Sequence, residues 1–142
     1  KTASFQKAAI CVVVGGALVF APAFSFILPN LKGPWISQTV ISLIKKHDQN
    51  KNPVLASVGY NEPSLVFLIG TETKLTSVDG AVQHLREDPE NALALIRDTY
   101  NSKFKETALK AGIDVVLLET IKGFNYSKGK WIVLRLFGVQ RR

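Results

Sequence analysis

Val54-Leu55-Ala56-Ser57-Val58-Gly59-Tyr60-Asn61-Glu62-Pro63-Ser64-Leu65-Val66-Phe67-Leu68-Ile69-Gly70 is the stretch on which the fold turns. Its first five residues are a short apolar run of strand length, and Gly59 closes it. Glu62 and Pro63 then place an acidic residue and a preset φ in a first helical turn, and Leu65 to Ile69 supplies the buried body that Gly70 ends. Strand, glycine turn and helix in that order are the opening of an α/β unit.

Working outward, residues 34–47 begin with Pro34 and repeat apolar side chains at Ile36, Val40, Leu43 and Ile44, the spacing of an amphipathic helix. A polar break over 48–52 and Pro53 separate it from the first strand. Toward the C-terminus, residues 71–78 are rich in β-branched side chains and predict a second strand, followed by a helix over 80–87 that Asp79 would cap. Residues 92–97 predict a strand, 99–111 a helix stopped by Gly112, and 115–120 and 130–137 two further strands. The segment Gly123-Phe124-Asn125-Tyr126-Ser127-Lys128-Gly129 reads as the loop joining the last two as an antiparallel hairpin, with Asn125 and the glycines suited to positive φ. The fold class expected is α/β: a small three-layer, mostly parallel sheet with an antiparallel C-terminal hairpin, preceded by one transmembrane helix.

That helix is the uncharged run 8–28, AAICVVVGGALVFAPAFSFIL, apolar on every side and about 30 Å long as an α-helix. A helix buried in a soluble core would show a polar stripe. Pro22 removes one backbone hydrogen bond, and Gly15-Gly16 with neighbouring alanines forms a small-residue face; both fit a helix packed among others in a bilayer. A cleaved signal peptide is the competitor, because Lys1 and Lys7 precede the run and Ala21-Pro22-Ala23 resembles a small-residue cleavage site. The apolar run continues past that site, and a chain starting at Lys1 is expected to be part of a longer polypeptide. Basic residues flank both ends, so charge does not set the orientation. The expected organisation is residues 1–29 as N-terminal flank and membrane helix, and 30–142 as one soluble domain of ordinary size.

The net charge is +7, and the sixteen basic and eleven acidic residues of 30–142 leave the domain at +5. The lysines and arginines are dispersed among acidic residues without interleaved stacking aromatics, which favours a solvated, membrane-facing surface over a nucleic-acid interface. Cys11 is the only cysteine and lies in the apolar run, so the domain has no disulfide, thiolate zinc site or cysteine nucleophile.

Open α/β sheets place ligands at the C-terminal ends of their strands, so the loop 57–64 is the first site candidate. Glu62 is suited to a sugar hydroxyl, a basic partner or the helix dipole, and Tyr60 to stacking on a sugar or covering the core; Ser64 shares the loop. The second candidate is the hairpin segment, where Asn125, Tyr126 and Lys128 are placed to reach a membrane surface or a partner. Asn125-Tyr126-Ser127 also matches the short N-glycosylation pattern, although turn chemistry is the simpler reading. His47 and His84 fall in separate helices without metal-ligand spacing and are expected to be solvated. Neither a phosphate-binding glycine loop nor a nucleophile elbow around Ser57 or Ser64 occurs, and no catalytic triad is evident.

Two stretches, SVGYNEPSLVFLIGTETKL (57–75) and GFNYSKGKWIVLRL (123–136), resemble the C-terminal region of bacterial lipid-linked-sugar glycosyltransferases of the GT-C class, which includes aminoarabinose transferases of lipid A and protein O-mannosyltransferases. The order, last membrane helix then domain, is similar over essentially the whole chain. The resemblance implies transfer of a sugar from a polyprenyl-phosphate carrier to a lipid or protein acceptor at the periplasmic face of the inner membrane. It places the catalytic acidic residue in an upstream loop that this chain lacks, and any divalent metal in the intact enzyme rather than here. The partners it implies are membrane lipid, the upstream transmembrane portion of the same polypeptide and the polyprenyl-linked sugar. The family often carries His where Asn61 stands, so no imidazole role transfers to that position. Tyr60, Glu62, Asn125 and Tyr126 are the positions onto which a shared function of the tail would map. The alternative is a single-pass, membrane-anchored α/β binding module without catalysis.

Overall fold

The structure is a computed structural model and describes residues 2–27, 30, 36–47, 54–125 and 127–140. The chain divides into two compact units, Lys1–Lys32 and Gly33–Arg142.

The first unit is a helix, α1 (Thr2–Pro22), continued by a π-helical turn over Ala23–Ile27. Pro22 has no N–H to offer the preceding turn, and the wider π turn begins immediately after it. The segment Phe5–Ile27 is long and apolar enough to cross a membrane, and its side chains are exposed within this chain. Leu28, the last residue of the expected span, lies outside the described residues, as does Pro34.

The second unit is a mixed α/β domain. In chain order it contains α2 (Ile36–His47), β1 (Val54–Val58), α3 (Pro63–Ile69), β2 (Lys74–Leu75), α4 (Val78–Glu87), β3 (Ala92–Arg97), a 3-10 turn (Asp98–Tyr100), α5 (Asn101–Lys110), β4 (Val115–Asn125) and β5 (Lys130–Val139). The five strands form one sheet in the order β2-β1-β3-β5-β4. β1 is parallel to β2 and β3, whereas β5 is antiparallel to both β3 and β4. The sheet is therefore mixed rather than mostly parallel. The reason is topological: β4 runs in the same direction as β3 but one position away, and β5 returns into the gap between them.

Alternate strand residues feed two cores, as the period of 2 requires. Ala56, Val58, Ala92, Ala94, Ile96 and Phe137 join Val78, Ala81, Val82 and Leu85 of α4 and Phe104 and Ala108 of α5. Leu55, Leu95, Ile132, Leu134 and Leu136 join Ile36, Val40 and Ile44 of α2 and Leu65 of α3.

Several boundaries differ from the sequence reading. The strand expected over 71–78 shrinks to Lys74–Leu75, because Ser77 leaves the sheet to cap α4, its side chain accepting from the Gly80 N–H at 3.2 Å. Ser77, and not Asp79, is the cap. β4 extends to Asn125, so Gly123 and Asn125 are strand residues rather than loop, and the hairpin connection is only 126–129. Among the described residues only glycines have positive φ, and Gly129 alone supplies it in that turn. The ladder of β4 with β5 slips once, between Leu117 and Glu119. β5 meets β3 only over Leu134–Phe137, so its first residues have β4 as their one strand neighbour.

Candidate functional site

The β1–α3 loop leaves the sheet at Gly59, whose φ of +76° L side chains rarely adopt; a Cβ there would sit 2.6 Å from the Tyr100 ring. The Ser57 hydroxyl donates to the Tyr60 carbonyl at 2.6 Å and closes the loop. Tyr60 is turned inward, 3% exposed in the core with Leu65 and Ile36. Its hydroxyl lies 3.3 Å from Ser37 Oγ of α2, and Ser37 Oγ shares a 2.8 Å hydrogen bond with Ser64 Oγ. Tyr60 and Ser64 thus tie the loop and α3 to α2.

Glu62 faces another way. It occupies the N-cap position of α3, and its side chain makes no capping bond to that helix. That carboxylate is buried, at 8% exposure for the residue, and meets the end of β4. Oε1 accepts from Asn125 Nδ2 at 2.9 Å and from the Ser127 hydroxyl at 2.5 Å. Asn125 Oδ1 accepts the Lys128 backbone N–H at 3.0 Å, which shapes the turn. Ser127 Oγ also lies 2.9 Å from Asn125 Oδ1, but it has one proton to give, and the shorter, charge-assisted contact with the carboxylate takes it. Bonds to a buried carboxylate are worth roughly 1.5–3 kcal/mol each, and an orphaned partner costs a similar amount.

The structure thus joins residues 63 apart in sequence: Glu62 from the first candidate loop and Asn125 from the second. Lys128 lends its backbone to this clasp while the residue itself is exposed, and Tyr126 lies outside the described residues. Ser127, not singled out in sequence, completes the clasp; its signal was the Asn-x-Ser pattern, read for glycosylation rather than for mutual hydrogen bonding.

The histidines also divide. His84 is buried rather than solvated: its Nε2–H donates to the Val54 carbonyl at 2.9 Å, while Nδ1 faces Lys74 Nζ at 3.4 Å. His47 stays at the surface of α2, with Nε2 3.2 Å from Glu119 Oε1, and Lys46 Nζ lies equally close. The His47 contact first, and then Lys46, hold the Glu119 carboxyl below its usual range.

Described grooves lie elsewhere on the domain. One of about 520 Å³ runs between α4 and α5 past Asp79, Gln83, Arg86 and Thr107, and includes none of the sequence-marked residues. Among the described residues no three His, Cys, Asp or Glu side chains converge to hold a metal ion. The clasp offers a single carboxylate already engaged by two donors, a donor set that does not fit a divalent cation. No protein-family model, curated protein or solved structure matches the chain.

Proposed function

We propose that this chain is the membrane-anchored, non-catalytic C-terminal part of an integral-membrane glycosyltransferase that uses a polyprenyl-phosphate sugar, with its domain on the periplasmic side of a bacterial inner membrane. The domain is taken as a three-layer α/β sandwich whose role is to stabilise the membrane bundle and shape acceptor access. The observation that carries the reading is the Glu62 clasp: the two stretches on which the family resemblance rests, 57–75 and 123–136, meet through Glu62, Asn125 and Ser127. Residues that resemble a family and also hold one another form a structural unit. The burial of Glu62 and Asn125 favours a scaffold over a group that handles substrate.

The test is the intact mass of the native membrane polypeptide carrying these peptides, together with its consumption of polyprenyl-phosphate sugar. The expected species is several times heavier than the 15.6 kDa of this chain and turns over the carrier. A species near 15.6 kDa without turnover would replace the proposal with a single-pass binding module, a reading favoured by the exposed Trp131 ring beside Phe124.

A further inference from the structure

Near its turn the β4–β5 hairpin carries Phe124 and Trp131 on the face turned away from Asn125 and Ile132. Phe124 pairs with Trp131 across the ladder, ring centroids 5.6 Å apart and edge to face, yet Trp131 is 73% exposed. Lys122 alternates onto the same face as Phe124 and Lys128 lies in the turn, both exposed, whereas Lys130, opposite Asn125, belongs to the other face. No acidic residue occurs between Ile121 and Leu134. An amphipathic ring with lysines beside it matches the chemistry of a bilayer interface, where indoles sit at headgroup depth and lysine stems lie along the apolar boundary with their charges at the phosphates.

We propose that this hairpin face is a second membrane contact of the chain, docking on anionic phospholipid headgroups through Trp131 and Phe124 with Lys122 and Lys128. The proposal deepens the anchored-domain reading and rests on α1 crossing the bilayer: a domain covalently continuous with a membrane-spanning helix works beside a lipid surface, and the lysines give its hairpin the sign that surface attracts. Each lysine near an anionic surface contributes about a five-fold gain in affinity, weakened as salt screens it. Docking through the hairpin would bias the orientation of the whole domain.

The experiment uses the full chain with Trp35→Phe, which leaves Trp131 as the only tryptophan, reconstituted into phosphatidylglycerol or phosphatidylcholine vesicles carrying a headgroup spin-label quencher. The comparator carries Trp131→Phe and Leu109→Trp, placing the probe on α5 at a residue that is 74% exposed. The expected result is at least two-fold stronger quenching of Trp131 than of the α5 probe in anionic vesicles. That excess should be lost in high salt and in the Lys122→Gln, Lys128→Gln variant. Equal quenching of the two probes, quenching indifferent to lipid charge, or quenching that follows protein density as contact between two copies would each overturn the proposal. Flotation of the same vesicles separates the two readings: a chain that does not float has no anchor and both fall, whereas a floating chain with unquenched Trp131 sinks the hairpin contact alone.

Discussion

The two faces of one hairpin invert the usual arrangement. On the inner face near the turn, Asn125 is buried and bonded to the buried Glu62, while on the outer face Trp131 stands largely in solvent beside the half-buried Phe124. The hairpin tip has only one strand neighbour, and beyond Ile132, the last inner residue to join the core of α2 and α3, its inner face is secured by hydrogen bonds. Such bonds are directional and hold one register, where apolar contact would tolerate slippage. The outer face is left unused by folding and is therefore available for contact.

The sharpest way to break this comparison is to remove the inner partner. Glu62→Ala strands the buried Asn125 Nδ2 and leaves the Ser127 hydroxyl only Asn125 Oδ1, and it should cost about 2–3 kcal/mol in denaturant unfolding of the full chain in detergent. Glu62→Gln retains an acceptor oxygen and should cost less than half as much. Next in size, Gly59→Ala forces a side chain onto a backbone at φ +76° and against Tyr100, displacing the loop that delivers Glu62; a loss of about 2 kcal/mol in the same assay is expected.

These expectations also mark where the sequence stopped being legible. The strand–turn–helix around Gly59 and the strand Ala92–Arg97 followed from local pattern alone, since apolar runs bounded by glycine or proline have few other uses. Residues 71–78 misled because β-branched propensity favoured a strand, whereas the cap formed by Ser77 on the Gly80 N–H stops the strand after Leu75. Gly123 and Asn125 look like turn residues by type, but Gly123 lies opposite Ile132 in the ladder and Asn125 is fixed by a carboxylate far away in sequence. His84 looked solvated by composition, and its bond to the Val54 carbonyl depends on how α4 packs over β1. Glu62 and Asn125 were both found as candidates; their mutual contact was invisible because pairing across sixty residues leaves no local period.

The outer face predicts the opposite behaviour. Trp131→Ala removes a large but exposed ring and one cross-strand contact, so unfolding should shift by less than about 1 kcal/mol, well below the Glu62→Ala effect. The smallest effect belongs to Glu119, a carboxylate that ties the same strand to α2 in reach of water. Its folded pKa is depressed by His47 and then Lys46, so the unfolded chain binds the proton more readily. The stabilisation is therefore complete above the ordinary carboxylate range and disappears as pH falls through it. Glu119→Gln should be slightly less stable than the parent near about pH 7, with the difference shrinking toward about pH 3 and in high salt.

The central claim is that Glu62 and the hairpin turn are directly coupled, and a double-mutant cycle of Glu62→Ala with Ser127→Ala, read from unfolding of the full chain in detergent, tests it most directly. A coupling of about 1 kcal/mol or more is the predicted result, because either substitution alone already breaks the shared bond. Additivity to within about 0.3–0.5 kcal/mol would mean that the two residues act independently, and would contradict the account.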